Sequence, residues 1–243
     1  TKKELFDFFS RTFWAHQFAD TKKLYSIIER MLDMLEGWEF ISGSEPQSNS
    51  SDFMSASELI KKDSKYQATI LGKRIAELYI DPYTAHFFVG ILQKAASKKI
   101  TPFSILHPIC DTLEMRPQLR AGVKDHDKIQ EALIEFGEDL LIKEPSIYES
   151  EYDTFENAIK TALFMHDWIE EKDEEYLLEE YKIRPGEIKS KLDIADWLIY
   201  CMEEVTRILS FKSLLPELKN LRVRIKNGVK EEYNLYRKDI KQV

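Results

Sequence analysis

The residues best suited to catalysis are His166 and Asp167, adjacent in the stretch LFMHDWIEE, with His107, His126-Asp127 and Asp196 elsewhere. Imidazole and carboxylate drawn from separate helices suit a transition metal, as in helical metal phosphohydrolases. The HD dipeptide is short, however, and His166 precedes Trp168-Ile169 on an apolar helix, where a half-buried histidine is the simpler reading. Trp197 offers a different chemistry, together with Lys189, Lys191 and the basic run Lys219, Arg222, Arg224, Lys226 and Lys230. Single-strand binders join a cationic track to an aromatic platform on which bases stack. The alternative for the same residues is a core tryptophan and a solvated basic face. Lys22, Lys23 and Arg30 on an early helix are offset by Glu29, Asp33 and Glu36, which favours packing over duplex reading. Nucleotide chemistry has no visible site. Gly72-Lys73-Arg74 lacks both the first glycine and the Ser/Thr of a phosphate loop, and GxGxxG, HExxH and GxSxG are absent. The expected catalytic residues and metal ligands are therefore none.

Trp197 belongs to the longest uninterrupted helical stretch. Pro185-Gly186 punctuates its start, Glu187 places a negative charge at the positive end of the dipole, and the pattern runs to Leu209. Ile188, Leu192, Ala195, Ile199, Met202 and Leu209 form one apolar stripe, and Ile194, Leu198, Cys201, Val205 and Ile208 a second beside it. Lys189, Asp193, Asp196, Tyr200, Glu203 and Arg207 make the polar face, with Trp197 on the seam. A helix this widely apolar belongs inside a bundle.

The rest of the chain supports that setting. Its 243 residues are 43% hydrophobic and 32% charged, with only 8 Gly and 8 Pro, so a mainly α fold is expected. The net charge of −8 argues against a broad nucleic-acid footprint and leaves room for a narrow basic strip. Cys110 and Cys201 make no CxxC, which suits a reducing, cytoplasmic setting, and no apolar run is long enough to span a bilayer.

Lys2 to Gln17 reads as one helix with Leu5, Phe9, Thr12 and Phe13 on a face, and a second helix carries Leu24, Ile28, Met31 and Leu32. Phe40-Ile41 opens a strand, Ser42 to Ser57 reads as a Ser-rich loop, and Lys65 to Ile70 as the returning strand. Two helices and a hairpin outline a winged-helix domain over residues 1–81, with a Ser-rich wing insertion at about 42–57 and an incomplete N-terminus. Residues 82–243 read as a roughly seven-helix bundle, with helices near 82–96, 102–113, 126–143, 151–170, 172–182, 186–210 and 215–234.

Three stretches go further. TILGKRIAELYIDPYTA (69–85), AIKTALFMHDWIEEKDEEYLLEEYKIRPGEI (158–188) and IADWLIYCMEEV (194–205) followed by RIKNGVKEE (224–232) resemble, in order, the archaeal Ski-like superfamily-two DNA helicases. These are the Hjm, or Holliday-junction-migration, helicases, related to the animal HelQ proteins. The resemblance implies a winged helix plus a ratchet bundle, downstream of two motor domains that bind ATP and magnesium and track 3′ to 5′ along single-stranded DNA. It implies a stacking role for Trp197. The family's strand-contacting Arg falls on Ser190, flanked by Lys189 and Lys191, with Arg224 and Lys226 as further candidate contacts. This segment, lacking the motors, is expected to hold no cofactor and no ATPase activity. Its expected partners are single-stranded or forked DNA and the motor domains of the same polypeptide, in a monomer serving fork repair and recombination. The readings that compete are a winged-helix scaffold or regulator that binds proteins, and the HD-type phosphohydrolase.

Overall fold

The computed structural model describes residues 1–17, 21–44 and 65–231. The chain divides into two compact units, Thr1–Pro82 and Tyr83–Val243. No helix among the described residues is long and apolar enough to cross a membrane.

The first unit is a winged helix. Its elements are α1 (Lys2–Ser10), α2 (Phe13–Gln17), α3 (Thr21–Gly37), β1 (Ile41–Ser44), β2 (Lys65–Ala68) and α4 (Ile70–Leu78). Thr1 and Glu4 cap the start of α1 reciprocally. The expected continuous helix breaks at Thr12, whose hydroxyl donates to the Phe9 carbonyl (2.7 Å) and accepts from the Ala15 N–H (3.3 Å). That side chain competes with the helical ladder and restarts it as α2. Phe13, expected on the buried face, is consequently 76% exposed. Ala15, Leu24, Ile28 and Leu32 form the core, with Leu5, Phe6, Phe9, Ile41 and Tyr66 packed against it.

The helix-to-wing corner is closely tied. Glu39 takes φ 60°, and the Phe40 N–H reaches back to the Leu35 carbonyl (2.9 Å), capping the end of α3. β1 and β2 then pair antiparallel, from Ile41 opposite Ala68 to Ser44 opposite Lys65. Residues 42–44 are thus strand rather than the start of the Ser-rich loop, and the remainder of that loop lies outside the described residues. Ile70, expected in the returning strand, opens α4 instead. Thr69 makes the switch: its N–H and hydroxyl bond the Phe40 and Glu39 carbonyls, and its oxygen caps the Gly72 N–H (3.0 Å). A Cβ on Gly72 would lie 1.8 Å from the Phe40 carbonyl oxygen, so only glycine lets α4 approach this closely.

Among the described residues the second unit carries seven helices: α5 (Pro82–Ala95), α6 (Pro102–Cys110), α7 (His126–Phe136), α8 (Tyr152–Ile169), α9 (Glu174–Tyr181), α10 (Pro185–Ile208) and α11 (Leu215–Asn227). Prolines sit in the first turn of α6, α10 and α11, where the missing N–H costs nothing. Three helices stop earlier than their pattern suggests. α6 ends at Cys110 rather than residue 113. α7 ends at Phe136, where Gly137–Asp139 tightens into a single 3₁₀ turn before the chain extends at Leu140. α11 ends at Asn227, because Gly228 takes the left-handed conformation (φ 59°).

The core gathers around α8, whose Ala158, Ile159, Ala162, Phe164, Met165 and Ile169 are fully buried between α6 and the other helices. α10 packs most extensively on α11. Its apolar face is as wide as its spacing suggests, with Ile188, Leu192, Ala195, Leu198, Ile199, Cys201, Met202 and Val205 all buried. Glu203 departs from the expected polar face. It is 3% exposed, because Arg222 of α11 and Arg207 close over its carboxylate (3.8 and 3.5 Å).

Candidate nucleic-acid interface

α10 has 24 residues, so it runs about 36 Å through the bundle. The Glu187 carboxylate accepts the Arg184 N–H (2.9 Å) and fixes its first turn. Ser190 is exposed and Trp197 half-buried. Seven residues apart, they lie two turns from each other on one face, about 10 Å along the axis. The strip between them is held in charge balance. Lys189, with a side chain 77% exposed, pairs with Asp193 (3.1 Å). Asp196 is bracketed by the Arg222 guanidinium (2.9 and 3.5 Å), which also lies 4.7 Å over the Tyr200 ring.

The six residues expected to meet the strand divide into two groups. Trp197, Ser190, Lys189 and Lys226 reach the surface. Lys191 and Arg224 do not. Lys191 is 9% exposed and donates to the Pro117 carbonyl (2.5 Å), and burial holds its pKa below the usual range for lysine. Arg224 is 3% exposed and bridges the Glu170 carboxylate (2.6 Å), the Ile169 carbonyl (3.3 Å) and the Val229 carbonyl (3.2 Å). In this conformation both charges are used inside the fold. Arg222, from the same basic run, is likewise committed to Asp196 and Glu203.

The DWI-E stretch has a structural job at every position, which spacing alone did not disclose. Asp167 accepts from the Tyr181 hydroxyl (2.5 Å) and faces Lys128 (3.4 Å). Trp168 donates to the Ile225 carbonyl (2.8 Å), and its ring covers Gly228 so closely that a Cβ there would sit 2.8 Å away. Ile169 is fully buried, Glu170 pairs with Arg224, and Glu171 (φ 63°) accepts the Lys230 N–H (3.2 Å). The motif rivets the end of α8 to the end of α11. A local signal lies in Asn227-Gly228, a helix-stop pair inside the stretch expected to be helical to residue 234.

The histidines and aspartates weighed as a metal site do not converge. His166 sits against Phe103 and Phe136, in a cleft of about 390 Å³ lined on its polar side by Lys128, Glu135, Asp167 and Glu170. Burial lowers its pKa, against the pull of Glu170 and Asp167. His107 is fully buried edge-on to Phe155 (5.0 Å), His126 faces Glu156 (3.6 Å), and Asp196 is held by Arg222. Among the described residues no three His, Cys, Asp or Glu side chains are placed to hold a metal ion.

A winged-helix unit, and a unit with seven helices among the described residues, one of them long and bearing a partly exposed tryptophan, are the elements that the sequence resemblance implied. The family described as archaeal helicase, domain 4, matches residues 103–228, from α6 to the glycine that ends α11. The chain belongs to that family. It is 33% identical over 234 residues to the ATP-dependent DNA helicase Hel308 of Pyrococcus horikoshii, covering 95% of this chain and 29% of that protein. It is also 32% identical over 225 residues to Hel308 of Methanocaldococcus jannaschii, covering 93% of this chain and 16% of that one. For Hel308 of Thermococcus kodakarensis the values are 31% over 231 residues, 95% and 19%. The chain therefore spans less than a third of the length of each of these relatives.

Proposed function

We propose that this chain is the winged-helix and ratchet portion of an ATP-dependent DNA helicase, and that α10 contacts the translocating single strand. Motor domains of the same polypeptide hydrolyse ATP and drive 3′ to 5′ movement, and the whole acts on forked or stalled replication intermediates. Trp197 stacks on a base and resists backward slippage. Ser190 and Lys189 lie along the strand on the same face, with Lys226 of α11 as an outlying cation. The observation that carries the reading is Trp197 itself. It is left partly exposed on a long helix most of whose apolar neighbours are buried, two turns from an exposed Ser190. A side chain that served only the core would be covered as completely as Leu198 or Ile199.

Titration of the chain into labelled single-stranded oligonucleotide at low salt tests this. Trp197→Ala should weaken binding by about 1–3 kcal/mol while the helical signal stays intact. Unchanged binding would return Trp197 to the seam and favour a protein-docking scaffold.

A further inference from the structure

Ser190 leaves α10 without a cation at the position where the strand is read, and Lys189 is already paired to Asp193. The cations come from elsewhere. Residues 116–125, between α6 and α7, have no regular secondary structure apart from one 3₁₀ turn, yet side chains from two helices strap them down. From α8, Asn157 accepts the Ala121 N–H (2.6 Å), Thr161 accepts the Leu119 N–H (3.0 Å), and Lys160 donates to the Arg120 carbonyl (3.1 Å) while pairing with Asp125 (2.8 Å). These three residues share one face of the helix. From α10, Lys191 holds the Pro117 carbonyl. Two buried lysines are thus committed to fixing a surface loop, although burying a charge is costly and loops are ordinarily left mobile.

The strapped segment carries three cations at four-residue intervals. Arg116, Arg120 and Lys124 are all exposed, and none is in an ion pair among the described residues. The nearby carboxylates are largely answered. Asp125 is taken by Lys160: burial works to raise it, but Lys160, the Gly122 N–H and the charge of Lys182 bring its pKa below the ordinary value. Asp111 is half-buried and raised to about 6 by burial, with Arg116 pulling it back. Glu187 accepts the Arg184 N–H, and Asp127 is exposed beyond the loop's end. The strap from Lys191, one residue past Ser190 and six before Trp197, ties the loop to the same stretch of α10.

We propose that residues 116–125 are a second nucleic-acid contact, a rigid cationic loop whose Arg116, Arg120 and Lys124 take backbone phosphates of the strand lying against Trp197. The proposal rests on the strand-binding reading above and supplies the charge that α10 lacks. A pre-fixed loop binds without the ordering cost that a mobile one incurs.

The test is anisotropy of labelled oligo-dT across a salt series, with the parent chain, Arg116→Gln/Arg120→Gln/Lys124→Gln, and Trp197→Ala. Each phosphate contact contributes about 0.7 to the slope of log K against log salt for a single strand. The triple variant should lower that slope by about 2 and weaken low-salt binding more than tenfold. Arg120→Gln alone should give about a third of the slope change, and serves if the triple variant loses its helical signal. If the glutamine variants bind like the parent while Trp197→Ala binds weakly, the loop proposal falls and the stacking reading stands. If the slope drops but Trp197→Ala is silent, the loop stands and stacking falls. No binding by the parent at low salt overturns both.

Discussion

Replacing His107 with leucine should leave the protein at least as stable at pH 7, and make it more stable than the parent by about 3 kcal/mol at pH 4. His107 lies in α6 with no exposed surface, and neither ring nitrogen has a hydrogen-bond partner among the described residues. Burial pushes its pKa down from 6.5 to about 3. The folded state therefore keeps the ring neutral, while the unfolded chain takes up a proton as pH falls below 6.5. Each pH unit below that point costs the folded state about 1.4 kcal/mol, and the loss levels off near pH 3. Asp111 works in the opposite sense: its carboxyl, raised to about 6, makes the folded state the better proton acceptor between pH 6 and 4. The parent's own acid profile is accordingly flattened, and only the difference between the two proteins isolates the imidazole. Urea unfolding of both at pH 7 and pH 4 gives that difference. Equal shifts of the two midpoints with pH would mean that His107 finds a partner when charged. At pH 7 leucine removes two unsatisfied nitrogens at similar volume, which is neutral or favourable.

Arg224→Met should destabilise the bundle by about 3 kcal/mol. The substitution keeps most of the apolar stem and deletes the charge, leaving the Ile169 and Val229 carbonyls without their donor and Glu170 without its cation. Breaking a buried pair from one side costs about 3–5 kcal/mol. The lower end applies because the Glu170 side chain is 37% exposed and can rehydrate. Adding Glu170→Gln should recover part of the loss, and the double-mutant cycle measures the coupling. The same variant bears on DNA. An unchanged urea midpoint with weakened oligonucleotide binding would mean that Arg224 leaves its buried site for the strand, as its place in the basic run suggested.

Helix positions, and the apolar face of α10, were readable because both follow from local rules. Proline fits a first turn and a 3.6-residue period marks a face, whereas Gly228 ends α11 where the expected helix ran on. The residues that sit deeper in the fold than expected have partners distant in sequence. Lys191 and Arg224 carry the charge a phosphate contact needs, and no pattern within α10 or α11 announces the Pro117 carbonyl or the Glu170 carboxylate. Glu203 sits correctly on the polar side of its own helix and is buried only because Arg222 arrives from the next. Thr12 failed for a local reason: its hydroxyl can cap as well as continue a helix, and periodicity sees only the apolar positions. The loop at 116–125 carries its basic residues openly in the sequence, but its rigidity comes from Asn157, Lys160 and Thr161, some forty positions later.

Cys110 and Cys201 are the only cysteines of the chain, and both are fully enclosed in the bundle, the first with its sulfur 3.6 Å from that of Met165. A thiol reagent finds nothing to modify until the bundle opens, so its rate of reaction counts those openings. The winged unit has no thiol and contributes no signal, whatever its own state. The protein thus carries a built-in clock for one of its two units, able to time the bundle's breathing with and without added oligonucleotide.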